Sequence, residues 1–206
     1  MSVITSIHRL NGKVRITDDQ GEERIIPLSV YRGHPLSQGD DVDLARYMQN
    51  LAPYLYRHAI DKAVKYLAVR ARSRKEVETR LLMYGFPEET VEMAIYKLEK
   101  TGLINDADFA REWTQARAEK GKGKRNIARD LHQKGISHKT TQIALEELDD
   151  EQQLLKAREL AEKWLPRYKD DDRRDATRKL TQALIRRGYD WETARKAVGA
   201  FIDEDR

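Results

Sequence analysis

At 206 residues, with 39 Lys and Arg against 35 Asp and Glu and no cysteine, the chain is long enough to bury a core, and disulfide frameworks and cysteine-based metal or nucleophile chemistry are excluded. The net charge of +4 permits nucleic acid as a partner without requiring it, and 36% charged against 7% aromatic residues suits thin helical layers with much solvated surface. The N-terminus carries no basic segment leading into a long apolar run, and no stretch of about eighteen apolar residues occurs, so a soluble, cytoplasmic protein with no membrane contact is expected.

Val3 to Leu10 and Lys13 to Thr17 read as strands joined by Asn11-Gly12, the dipeptide favoured in a two-residue type I′ hairpin. Asp18 to Gly21 then turns into a third strand, Glu22 to Pro27. So small an antiparallel meander is marginal alone and is expected to lean on the first helices. Helical periodicity begins near Pro53, with Tyr54, Ile60, Ala63, Val64, Leu67 and Ala68 at three- and four-residue steps. Ser73 followed by Glu76 has the form of a capping box and predicts a new helix. Gly85 should close that helix in the left-handed region, and Pro87 should take the first position of the next. Gly102 ends that one, and Asn105 with Asp108 predicts the start of a helix through Glu119, with Phe109, Ala110, Trp113 and Ala116 on one stripe.

The pattern then repeats. Leu81-x-x-x-Gly85, Leu131-x-x-x-Gly135 and Leu184-x-x-x-Gly188 recur at intervals of 50 and 53 residues, a spacing that marks stacked supersecondary units. Eight residues before each glycine lies Val77, Ile127 or Leu180; nine after it lies Ala94, Ala144 or Ala197; thirteen after it lies Leu98, Leu148 or Phe201. These columns are expected to pack cores, and Ser137 and Asp190 should cap helices that begin after the second and third glycines. The predicted fold is mainly α: a tandem array of three three-helix repeats, 57–106, 107–150 and 151–206, behind an N-terminal β meander and linker at 1–52. The third copy carries a longer charged connector, Lys169 to Arg174.

No catalytic constellation emerges. His8, His34, His58, His132 and His138 form no metal-binding motif, and Gly121-Lys122-Gly123-Lys124 lacks the framing and the following Ser or Thr of a phosphate loop. Asp106, Asp108 and Asp170 to Asp172 are read as caps and dipole partners. No enzyme activity, metal or cofactor is expected. The informative charge is basic and clustered. Arg117, Lys120, Lys122, Lys124, Arg125 and Arg129 face only Glu119 within thirteen residues. Arg70, Arg72, Arg74 and Lys75 form a second cluster, and Arg173, Arg174, Arg178, Lys179, Arg186 and Arg187 a third, partly offset by Asp175. A charge run is often only a solvated face. Glycines beside Lys122 and Lys124 would nevertheless let a backbone approach a ligand, and a basic stripe would bind polyanions with steep salt dependence.

Tyr66-Leu67-Ala68-x-Arg70-x-Arg72-Ser73, followed by Glu76-Val77-x-x-Arg80-Leu81-x-x-x-Gly85, resembles the opening of the RecX family, bacterial modulators of the RecA recombinase. Gly102-Leu103-Ile104-Asn105-Asp106-x-x-Phe109-Ala110-x-x-Trp113 and Lys134-Gly135-Ile136 resemble its following blocks, so that the likeness covers 57 to about 200. The resemblance implies a row of three-helix repeats that inserts into the groove of a RecA filament on DNA. It further implies inhibition of RecA ATPase and strand exchange, blocked filament growth or promoted disassembly, and a place in DNA repair, recombination and the SOS response. The expected partners are the RecA filament and single-stranded DNA, with double-stranded DNA as a further ligand, and the expected state is a monomer. The family motif supports Arg70 and Arg72 as contact residues. Charge alone adds Arg74, Lys75, Lys120, Lys122, Lys124, Arg125, Arg129, Arg173, Arg174, Arg178, Arg186 and Arg187. The alternative reading is a basic helical-repeat module that binds single-stranded nucleic acid without a recombinase partner.

Overall fold

The computed structural model describes residues 1–203, with side chains described through residue 199. Two compact units divide the chain, Met1–Asn105 and a second from Asp106 onward.

In the first unit, β1 (Ser2–Leu10), β2 (Lys13–Asp18), β3 (Glu23–Pro27) and β4 (Asp41–Val42) form an antiparallel sheet in the order β3-β2-β1-β4. Three strands were expected. The fourth is a two-residue strand pairing Ser2 and Val3 with Val42 and Asp41, too short for alternation to reveal. The β1–β2 turn also differs from expectation. Gly12 has φ +79° but no described non-glycine residue has positive φ, so the turn is not type I′, which needs both central residues there. Along β2, Val14, Ile16 and Asp18 face inward. Asp18 is buried, accepting the amides of Gln20 and Glu22 at 3.0 and 2.8 Å. A hydrogen bond from Ser2, reinforced by these amides, holds its carboxyl below the usual carboxylate range against the opposing pull of burial.

Four helices complete the unit: α1 (Leu28–Tyr31), α2 (Leu44–Leu67), α3 (Arg74–Met83) and α4 (Glu88–Lys100). α2 starts at Leu44, well before Pro53, because Asp43 caps it by accepting the Arg46 amide at 3.0 Å. Pro53 lies inside the helix and removes one of its i→i−4 bonds, and residues 52–57 are continuous helix. Ser73 and Glu76 form the capping box that opens α3. Pro87 occupies the N-cap of α4 rather than its first turn. Ile4, Val14, Ile16 and Ile26 share one core with Leu51, Leu55, Val77, Leu81 and Leu98, so the sheet rests on the helices as its size requires.

The second unit contains α5 (Asp106–Glu119), α6 (Lys124–Gln133), α7 (His138–Glu146), α8 (Asp150–Trp164), a 3-10 turn (Leu165–Tyr168), α9 (Arg173–Arg187) and α10 (Trp191–Asp203). One core gathers Phe109, Ile127, Leu131 and Leu148, and another Ala157, Leu180, Leu184, Tyr189 and Val198. The repeat columns pack these interiors. Val77, Ile127 and Leu180 are buried, as are Ala94, Ala144, Ala197, Leu98 and Leu148; the Phe201 side chain falls outside the described residues. Gly85, Gly135 and Gly188 have φ of +86°, +82° and +102°, the left-handed turn that each copy requires between its second and third helices. Ser137 and Asp190 then accept the amides of Thr140 and Thr193 at 3.1 and 2.9 Å.

Candidate nucleic-acid and partner interface

The first basic cluster lies at the α2–α3 junction. Glu76 Oε1 stands 2.9 Å from Arg70 and 4.0 Å from Arg72, while the Arg72 guanidinium covers the Tyr66 ring at 4.2 Å. With only 14% of its side chain exposed, Arg72 serves packing as much as charge. Arg74 pairs with Glu78 and Glu99 at 3.7 and 3.2 Å; Lys75 is exposed and has no ion-pair partner among the described residues. Spacing did not single out Arg80 and Lys62, which join the same face through the rings of Tyr66 and Tyr84. The available signal was the pairing of cation and tyrosine four residues apart, Lys62 with Tyr66 and Arg80 with Tyr84, which sets them on one helix face.

The second and third clusters meet within the second unit. The amides of Gly123 and Arg125 donate to the carbonyls of Arg187 and Gly188 at 3.2 and 3.1 Å, so orphan donors at the α6 N-terminus satisfy orphan acceptors at the α9 C-terminus. Asn126 Nδ2 donates to Arg186 O at 2.9 Å. Arg187 returns two bonds, from Nε to Gly121 O at 2.9 Å and from Nη2 to Lys120 O at 2.8 Å. The close backbone approach expected of Gly121 and Gly123 is therefore made to the chain's own residues. Gly121 has the Leu160 side chain against it, and Gly123 the backbone of Gly188.

This junction sorts the cations. Lys122 Nζ lies 2.7 Å from Asp130, which Arg117 also approaches at 3.7 Å, and Lys124 Nζ lies 2.7 Å from Asp150. Arg187 is committed to the two carbonyls. Lys120, Arg125 and Arg186 are exposed and have no side-chain partner among the described residues, and Arg129 bonds only the neutral Asn126, at 2.6 Å. Lys120, Arg125, Arg129, Arg186 and Arg187 are thus brought together. Arg173, Arg174 and Arg178 are not; by helical rise along α9, Arg173 and Arg174 lie about 20 Å from Arg187 and Arg178 about 13 Å from it. Arg173 and Arg174 are exposed and have no ion-pair partner among the described residues, whereas Arg178 pairs with Asp175 at 3.1 Å. The hydrogen bond from Lys179 to Asp171 at 2.6 Å raises the lysine's pKa.

Lys120, Arg125, Arg129 and Arg186 thereby present a concentration of positive charge to solvent within the second unit. Among the described residues no group of three or more His, Asp or Glu is placed to hold a metal, and no helix is long and apolar enough to cross a membrane. His132 and His138 stack ring on ring at 5.7 Å, and Asp172 caps α9 by accepting the Asp175 amide.

Three family models match in chain order: the RecX first three-helix domain over residues 59–98, the second over 105–145 and the third over 150–198. The chain belongs to the RecX family. It is 34% identical to the regulatory protein RecX of Mycolicibacterium smegmatis over 148 residues, 69% of this chain and 79% of that protein. Against the RecX of Prosthecochloris aestuarii it is 34% identical over 147 residues, 71% of this chain and 95% of the relative. A crystal structure of a regulatory protein RecX matches with a TM-score of 0.67 at 25% identity, covering 94% of this chain and 97% of that one. RecX from Lactobacillus salivarius matches with a TM-score of 0.69 at 29% identity over 72% of this chain and 97% of that one. The RecX domain limits divide the helices as α2–α4, α5–α7 and α8–α10, each with its glycine between second and third helix.

Proposed function

We propose that this chain regulates the RecA recombinase by lodging in the groove of RecA filaments on DNA, where it inhibits ATP hydrolysis, filament growth and strand exchange. It acts by binding, without catalysis of its own, as a cytoplasmic monomer in recombinational repair and the SOS response. The observation that carries the reading is the ordered succession of three RecX domains, in a family whose named relatives are regulatory proteins. The convergence of Lys120, Arg125, Arg129 and Arg186 adds a polyanion-facing surface in the second unit. Arg70, Arg72, Arg74 and Lys75 supply the contact surface of the first unit, and Arg173, Arg174 and Arg178 a further one; Lys122, Lys124 and Arg187 support it through their internal bonds.

The test is DNA-dependent ATP hydrolysis by the cognate RecA on single-stranded DNA, with this protein titrated from well below the RecA concentration. Inhibition at substoichiometric levels that persists in excess DNA establishes action on the filament. Inhibition only at concentrations that coat the DNA assigns the chain instead to the nucleic-acid-binding class without a recombinase partner.

A further inference from the structure

Cations on the first unit are held by aromatic rings where carboxylates would be usual. Lys62 Nζ lies 5.0 Å from the centroid of the Tyr84 ring, and the Arg80 guanidinium 4.9 Å from the same ring and 5.5 Å from that of Tyr66. Arg72 stands over Tyr66 at 4.2 Å, so cation and ring alternate from α2 to α3. Both rings are half-buried and pack against the core of the unit, which seats them rigidly. Neither Lys62 nor Arg80 has a carboxylate within ion-pair distance among the described residues. An unpaired surface cation ordinarily samples many rotamers; here cation–π attraction restricts two of them and leaves their charge uncompensated. Positive groups fixed beside aromatic rings are the chemistry by which proteins hold a single nucleic-acid strand, with phosphates on the cations and a base against the ring.

We propose that Lys62, Tyr66, Arg80 and Tyr84 form a single-stranded DNA site, in which Lys62 and Arg80 turn from the Tyr84 ring to backbone phosphates and an unpaired base stacks on the ring face they leave. A single strand is favoured over a duplex because a duplex offers no unstacked base to a ring. The proposal rests on the filament reading for its choice of polyanion and assigns part of the DNA contact to the first unit.

The experiment follows fluorescence anisotropy of an end-labelled oligo-dT with the full chain over a series of salt concentrations. Two neutralised phosphates correspond to about 1.4 in the log–log salt slope, so Lys62→Gln with Arg80→Gln should lower the slope by about that amount and weaken binding roughly tenfold near 0.1 M salt. Glutamine preserves much of the stem that packs on the rings, and circular dichroism checks the fold; if the double variant melts early, each single variant should lower the slope by about 0.7. Tyr84→Leu should weaken oligo-dT binding about fivefold with the slope unchanged, Tyr84→Phe should restore it, and an abasic strand should bind both equally. An unchanged slope and affinity in folded glutamine variants, or absence of binding by the unsubstituted chain, overturns the site. So does loss of RecA inhibition with oligo-dT affinity intact, which would assign the ladder to a protein partner. Failure of the unsubstituted chain to inhibit RecA, with these DNA effects present, would instead overturn the filament reading and leave the site standing.

Discussion

Gly123 and Gly188 meet backbone to backbone, 65 positions apart in sequence, and that contact fixes the α6–α9 junction. A Cβ built on Gly123 would overlap the main chain of Gly188 and the amide of Tyr189, neither of which is a flexible side-chain end that could swing aside. The φ of Gly123 is −77°, which alanine adopts freely, so Gly123→Ala isolates the steric cost from any backbone strain. Thermal or urea unfolding should show a loss of about 1 to 3 kcal/mol. A loss of only a few tenths would mean that the two segments separate easily and that the amide-to-carbonyl bonds across the junction contribute little.

Gly135 poses the opposite case, since its φ of +82° makes backbone conformation the constraint. Gly135→Val places a β-branched residue in the left-handed region and should cost about 1 to 3 kcal/mol, whereas Gly135→Asn should be tolerated far better. Comparison of the two melting temperatures is the check. Equal losses would locate the damage in packing around the turn.

Backbone-driven features of the fold were the legible ones. The glycines at 85, 135 and 188 announced themselves because only glycine enters the left-handed region without cost, and Ser73, Ser137 and Asp190 because capping has few chemical solutions. The start of α2 was misplaced because proline is read as a beginning, while Asp43 could be recognised as a cap only once the helix above it was known to run through Pro53. At the candidate site the basic residue types were visible, but their employment was not. Lys124 meets Asp150 from 26 positions away, and Arg187 meets the carbonyls of Lys120 and Gly121 from more than 60. No local pattern distinguishes such a committed cation from the free Arg125 beside it, because tertiary contacts make the difference.

Tyr47, half-buried, and Tyr189, buried, should respond to loss of their hydroxyls in opposite ways. Tyr47 donates to the carbonyl of His34 at 2.7 Å, whereas the Tyr189 hydroxyl is buried and has no hydrogen-bond partner among the described residues. Tyr47→Phe should therefore destabilise by about 1 kcal/mol, and Tyr189→Phe should be neutral or stabilising by a similar amount. Chemical unfolding of the two variants decides the matter, and a loss for Tyr189→Phe as large as that for Tyr47→Phe would show that its hydroxyl is satisfied in solution.

Alkaline titration examines the same pair. Burial pushes both phenols up to about 12, with the neighbouring Tyr31 adding to the effect at Tyr47 and the Arg187 charge partly opposing it at Tyr189. An unfolded tyrosine ionises near 10, so between about pH 10 and 12 the folded chain retains protons that the unfolded chain has released. Their contribution to stability is complete below about pH 10 and is lost as pH rises through the folded pKa. Tyr189→Phe should flatten part of that alkaline decline, as urea midpoints recorded from pH 9 to 12 would reveal. An unaltered decline would mean that the Tyr189 phenol ionises at its ordinary value.

Charge reversal at the α6–α9 junction separates contact from support. Lys120, Arg125 and Arg186 are exposed without side-chain partners among the described residues, so Lys120→Glu, Arg125→Glu and Arg186→Glu together should leave melting nearly unchanged while reducing DNA affinity and RecA inhibition at least tenfold. Lys122→Glu would instead set a carboxylate against Asp130, and Lys124→Glu another against Asp150. Their signature should be a lowered melting temperature, with function declining only as far as the folded fraction does. Each surface pair is worth at most about 1 kcal/mol when intact, and reversal adds like-charge repulsion to its loss. The discriminating measurement is inhibition per folded molecule for the two sets of variants. A junction triple variant that folds and inhibits normally would remove these three side chains from the interface.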